Sequence, residues 1–187
     1  MKVFGIDPGS ERTGFGCVDS DGHRHRLVRC GAITARADAT FPERLGAIYR
    51  ALVDEIKACR PDCVAIENLF YATNVRSALK LGHARGVAML AAVECGMPVL
   101  EYTPAEIKRA VVGYGRAEKA QVGQMVKLLL GLDAVPTPHD AADALAVAIC
   151  HVHQSGVIAS AGARRRAAEP RGAAAPRSWR QYRPTTR

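Results

Sequence analysis

No apolar run in these 187 residues is longer than seven, at residues 87–93 and 144–150, far short of the ~20 that cross a bilayer. A membrane-spanning helix is excluded. Only residues 3–6 separate Lys2 from Asp7, too few for the roughly 7–15 apolar residues of a signal peptide, so the chain is expected in the cytoplasm with no membrane partner. The six cysteines include no CxxC pair. Neither a zinc ribbon nor a disulfide framework has the spacing it needs, and free thiols are expected. Cys150, His151 and His153, with Cys59 and Cys63, come nearest to a metal cluster but lack paired spacing. There is no Walker lysine loop and no HExxH, and GIDPGS lacks the GxGxxG spacing, which removes the usual nucleotide and zinc-protease readings. The net charge is +8, but eight Arg against one Glu in residues 164–187 supply +7 of it, leaving +1 for everything before.

Hydrophobic residues make up 48% of the chain, enough for one packed core. Residues 1–7, MKVFGID, read as an apolar strand ending in an acid, followed by PGS, a turn. Residues 13–18 and 26–34 supply two further strands, joined through Asp21 and Gly22, a hairpin signal. Leu45, Ile48, Tyr49, Leu52, Val53 and Ile56 recur at helical spacing between Pro42 and Pro61. DCVAIE, residues 62–67, is a second apolar run closing on an acid. Strand, helix, strand implies a crossover with parallel pairing, so Asp7 and Glu67 should emerge at one sheet edge. A helix over residues 77–95 carries Gly82 and Gly86, whose spacing suits close approach of another element, within the domain or across a dimer. Residues 98–102 read as a last short strand. Thr103 and Glu106 then form a capping box, a helix around Val122–Leu130 stops near Gly131, and a final helix spans residues 139–153. Large aliphatics cease after Ile158. We expect an α/β domain over residues 1–156 and a disordered Arg-rich tail over 157–187.

Asp140 and Asp143 are three apart at the start of the last helix, hence on one face, with Ala144 and Val147. Acids in a first turn also complement the helix macrodipole, which by itself would explain the pair. Asp7 and Glu67 change the weighing: four carboxylates on three elements are costly to gather in apolar surroundings unless a cation neutralises them. Magnesium is the natural occupant. Two such ions would activate water and stabilise the leaving oxygen of a phosphodiester, which is nuclease chemistry.

GIDPG at Asp7, IENLF at Glu67, SALKLGHARG from Ser77, VVGYGRAEK from Val111 and HDAADALAVAI from His139 together resemble the RuvC family of Holliday junction resolvases, over residues 1–153 and in the expected order. The resemblance implies a ribonuclease-H-like fold with a mixed five-stranded sheet flanked by helices. It implies a homodimer that nicks two strands of four-way junction DNA symmetrically, in recombination and repair, and works with a branch-migration motor. It makes Asp7, Glu67, Asp140 and Asp143 the catalytic, metal-ligating residues for two Mg2+ ions, with Mn2+ as a substitute. His139, beside Asp140, is a candidate helper. Phe70 falls where the family places an aromatic that stacks on a base near the junction centre, and a single exposed aromatic suits that role better than a core position; Tyr71 assists or packs. Lys108 and Lys119 match DNA-contacting positions, with Arg76, Lys80, Arg109 and Arg116 as neighbours. Phosphate contacts of this kind position a substrate without reading its sequence. The Arg-rich tail, with Trp179 and Tyr182, is expected to add affinity through counterion release.

Overall fold

A computed structural model describes residues 1–68 and 74–168, with side chains through residue 156. Phe70 and Tyr71, and in the tail Trp179 and Tyr182, lie outside the described residues. The described residues form two compact units, the first Met1–Gly156.

Five strands form one sheet: β1 (Lys2–Asp7), β2 (Arg12–Ser20), β3 (His25–Thr34), β4 (Cys63–Glu67) and β5 (Val99–Tyr102), in the order β3-β2-β1-β4-β5. β1, β2 and β3 pair antiparallel as a meander, whereas β4 and β5 join parallel to β1 and to each other, as crossover helices require. Those helices are α1 (Phe41–Cys59), between β3 and β4, and α2 (Val75–Glu94), between β4 and β5. α3 (Pro104–Val112), α4 (Lys119–Leu129) and α5 (His139–Ala168) follow.

Strand parity divides the core. Phe4, Ile6, Phe15, Cys17, Val64 and Ile66 face one side and pack with Ile48, Leu52 and Ile56 of α1 and Ala88, Ala91 and Ala92 of α2. Val3, Val18, Cys63 and Ala65 face the other, against Ile107 and Val111 of α3, Val122 and Val126 of α4, and Leu145 and Ile149 of α5. Side chains alternate faces along a strand, so Asp7 and Glu67 belong to the α3–α4–α5 side. The Thr103–Glu106 capping box opens α3 as expected, and the same device opens α1, where the Glu43 carboxylate accepts from the Thr40 N–H at 2.7 Å. Gly131, at φ 62°, lies just past α4.

α5 departs from expectation: it continues past His153 to Ala168. Residues 159–168 lack the large aliphatics that signal a packed helix, but alanine, frequent there, has the highest helix propensity of any residue. All six cysteines are free. Among the described residues no helix is long and apolar enough to cross a membrane.

Candidate active site

Asp7 and Glu67 each end a strand, and the β1–β4 pairing runs Val3↔Cys63 through Ile6↔Ile66, so both acids extend from neighbouring parallel strands on the same face. Directly after Asp7 the chain turns sharply. Buried Thr13 ties that turn, its hydroxyl donating to the Gly9 carbonyl at 2.8 Å.

α5 reaches the acids because the sheet beneath it has almost no side chains. Gly5 lies opposite Gly16, and Asp7 opposite Gly14. A Cβ on Gly5 would stand 2.0 Å from the Ala144 carbonyl oxygen, and one on Gly14 2.0 Å from that of Asp140. The surface of α5 over Gly5 is correspondingly small: Ala141, Ala144 and Ala148 are all buried, and a Cβ on Gly5 would meet the backbone of Ala144 and Ala148. Glycine on the strands and alanine on the helix let two backbones approach closely, setting the N-terminal turn of α5 over the end of β1.

Asp7, Glu67 and Asp143 line one cleft of about 380 Å³ with Lys108, Lys119, Pro104 and Ile107. Lys119 Nζ lies 2.5 Å from Asp143 Oδ2. Asp140 turns away, into an adjoining groove, where its Oδ2 sits 3.4 Å from Arg12 Nη1. Of the residues the sequence singled out, three acids and both lysines thus share the cleft. The fourth acid stands beside it, and His139 lines a neighbouring apolar pocket with Lys119 and Asp143. Arg12 was missed: it is an unremarkable exposed arginine until the fold brings it against a residue 128 positions away.

Burial, then the charge of Glu67 and a hydrogen bond to it, push the Asp7 carboxyl up from 3.8 to about 8, with Asp143 adding to the rise and Lys119 opposing it. Glu67 is raised as well, chiefly by burial and by Asp143, while accepting from Asp7 and facing Lys119 and Lys108 lowers it. Without a cation, burial and neighbouring negative charge hold both strand-end carboxyls above their ordinary range. The Lys119 ammonium is held charged above its ordinary value by the hydrogen bond to Asp143.

Oxygen-only donors carrying excess negative charge in a half-closed cleft suit a hard divalent cation. Among the described residues no three His, Cys, Asp or Glu side chains already converge as a formed cage; the Lys119 ammonium supplies the positive charge at Asp143 instead. The Arg12–Asp140 pair is partly exposed, its side chains 51% and 28% accessible, and such pairs are worth only ~0–1 kcal/mol. Releasing Asp140 toward a cation therefore costs little.

A stability prediction follows for the metal-free protein. Below about 3.8 Asp7 is protonated whether folded or unfolded. From there up to about 8 the folded state keeps a proton that the unfolded chain has released, so each step upward in pH favours unfolding. In chelator the melting temperature should fall between about pH 4 and pH 8, and Asp7→Asn, which cannot titrate, should flatten that slope. A slope unchanged in the variant would show that other groups set it.

The family model described as Crossover junction endodeoxyribonuclease RuvC matches residues 3–151, a span that holds all four acids and both lysines. The chain is 54% identical over 159 residues to the protein of that name from Koribacter versatilis, covering 84% of this chain and 96% of the relative. It is 53% identical over 153 residues to the one from Alkaliphilus oremlandii, covering 82% and 93%. The solved structure of Thermus thermophilus RuvC in complex with Holliday junction substrate matches with a TM-score of 0.80 at 36% identity, over 84% of this chain and 96% of that one. With its acids on the same elements from which sequence placed them, and with relatives this similar over nearly their whole length, the chain belongs to the RuvC family of crossover junction endodeoxyribonucleases.

Proposed function

We propose that this protein is a divalent-cation-dependent endonuclease that resolves four-way DNA junctions by paired, symmetric nicks in recombination and repair. The observation that carries the reading is the cleft itself: half-buried carboxylates at two strand ends and a helix start, lined also by two lysines. When bound, magnesium supplies activation of the attacking water and charge stabilisation on the leaving oxygen. Asp7, Glu67, Asp140 and Asp143 would hold two such ions, and manganese, which takes similar oxygen ligands, would substitute. Lys108 and Lys119 offset the charge of the incoming phosphodiester and fix its position without reading sequence. Phe70, three residues beyond Glu67 in the chain, is assigned to base stacking on the family resemblance. A branch-migration motor as partner is inferred in the same way.

A synthetic four-way junction labelled on each strand in turn tests the reading. Magnesium-dependent nicks at matching positions in two opposed strands, absent from linear duplex of the same sequence, are expected. Equal cutting of the duplex would overturn it.

Paired nicks need two sites related by a twofold axis, and α2 offers the seam. Val75, Leu79, Leu90 and Val93 are 76%, 60%, 52% and 62% exposed. At 100° per residue they fall on one stripe with Gly82 and Gly86, neither of which has an atom within 4 Å of an added Cβ. The glycines therefore do not serve packing on this chain's own sheet, and the stripe suits the same stripe of a second copy. Gly86→Leu should weaken dimerisation in sedimentation at least ~10-fold while leaving a folded monomer. An unchanged dimer would place the interface elsewhere.

A further inference from the structure

At the other end of the sheet from the acids, two histidines meet nitrogen to nitrogen. His25, which opens β3, and His153, on α5, bring their Nε2 atoms to 3.1 Å, with ring centroids 5.1 Å apart and planes inclined by 50°. The other nitrogen of each ring is already engaged. His153 Nδ1 lies 2.9 Å from the Ala110 carbonyl of α3. Only an N–H can bond a carbonyl, so in the neutral ring the His153 Nε2 is a bare lone pair. His25 Nδ1 lies 2.8 Å from Ser20 Oγ, a hydroxyl that also accepts the Gly22 N–H at 3.0 Å. The pair is remote from the catalytic cleft. His25 is the register partner of Ser20, at the opposite end of β2 from Gly14, and His153 follows Asp143 by ten residues, about 15 Å along a helix.

Without a metal, His25 Nε2–H donates to the His153 lone pair and His25 Nδ1 accepts from Ser20 Oγ. A metal ion would displace the Nε2 proton, and the Ser20 hydroxyl can turn to accept from Nδ1–H, so that both rings take the arrangement second-shell bonds impose on a metal-ligating histidine. Nitrogens 3.1 Å apart, each ~2.0–2.1 Å from one ion, subtend about 100° at it, near the tetrahedral angle that zinc adopts. Burial and the charge of His153 hold the His25 imidazole below its ordinary value, against a smaller pull from Asp21, which favours the neutral, ligating form. A groove of about 710 Å³ beside His25, lined by Met1, Asp19, Asp21 and His23 among others, admits the water needed to complete the coordination. His151, two residues from His153 and so ~200° around the helix, instead bonds the Tyr102 hydroxyl at 2.6 Å. Cys150, His151 and His153, whose spacing already told against a joint metal site, therefore do not converge.

We propose that His25 and His153 make a two-imidazole site for a borderline divalent transition ion, zinc first, clasping the edge strand β3 to α5. Magnesium, which prefers oxygen, does not compete for it.

The test uses the full chain in excess magnesium, which occupies the carboxylates, with zinc and Cu2+ as probes. Zinc should raise the melting temperature, and bound Cu2+ should show coupling to two nitrogens by electron paramagnetic resonance. His25→Gln and His153→Gln should each lose the zinc-dependent rise, weaken zinc binding at least ~10-fold, and drop the two-nitrogen signature; His23→Gln should keep all three. His25 is half-buried on an edge strand, so its variant should fold, as circular dichroism without metal would verify. No zinc-dependent rise in the wild type would mean that the pair is only a hydrogen-bonded clasp. Binding that survives His153→Gln would put the ion at His23 or the amino terminus, and would equally overturn the proposal.

Discussion

Asp7→Asn should reduce junction cleavage in magnesium by at least about a thousandfold while leaving junction affinity equal or improved. Asp7 is the most strongly perturbed acid of the cleft, buried beside Glu67 and influenced by Asp143. The amide keeps the shape and can still hydrogen-bond Glu67, but removes the negative charge that draws a cation to the centre of the site. Several kcal/mol of transition-state stabilisation depend on that cation, and each 1.36 kcal/mol is a factor of ten in rate. Binding answers to the opposite sign of charge, since one fewer carboxylate faces the phosphate. Single-turnover cleavage and a gel-shift titration on the same junction separate the two effects. Near wild-type nicking by the variant would remove Asp7 from the chemistry, whereas parallel loss of binding and cleavage would point to a folding defect.

Such a site is legible in one dimension where its residues interrupt a pattern. Asp7 and Glu67 stand out because each ends an apolar run, and the run is a strand whatever it packs against. Asp140 and Asp143 stand out because helical spacing puts both on one face. What no pattern reveals is pairing across the chain. Arg12 meets Asp140 only once β2 and α5 are assembled, and His25 meets His153 across the same distance in sequence. The glycines are an intermediate case. Gly14 and Gly16, two apart on a strand, mark a bare patch on one face, but their meaning depends on Gly5 lying opposite Gly16, which is a fact of register. The extra turns of α5 were hidden for a different reason: a helix carried by alanine propensity has no amphipathic stripe to read.

That bare patch carries the other large effect. Gly14→Ala adds the one atom whose place is 2.0 Å from the Asp140 carbonyl oxygen, and Gly5→Ala does the same at the Ala144 carbonyl oxygen. A backbone oxygen in a helix cannot rotate aside as a side chain does, so α5 must lift or the strand must bend. Overpacking of this kind costs typically ~1–3 kcal/mol of stability. The cost to function should be larger, because Asp140 and Asp143 ride on the displaced turn and a misplacement of about 1 Å can cost ~100-fold in rate. Gly16→Ala supplies the internal comparison. Its added atom would meet the Leu145 side chain first, at 2.6 Å from Cγ, and a leucine can repack. Chemical denaturation with single-turnover cleavage on the three variants should therefore show the smallest loss of stability at Gly16→Ala and unequal losses of rate, with Gly14→Ala losing most and Gly16→Ala least. Equal rate losses at all three positions would mean that α5 moves as a rigid body, and that its alanine face sets the helix height without separately aiming the two acids.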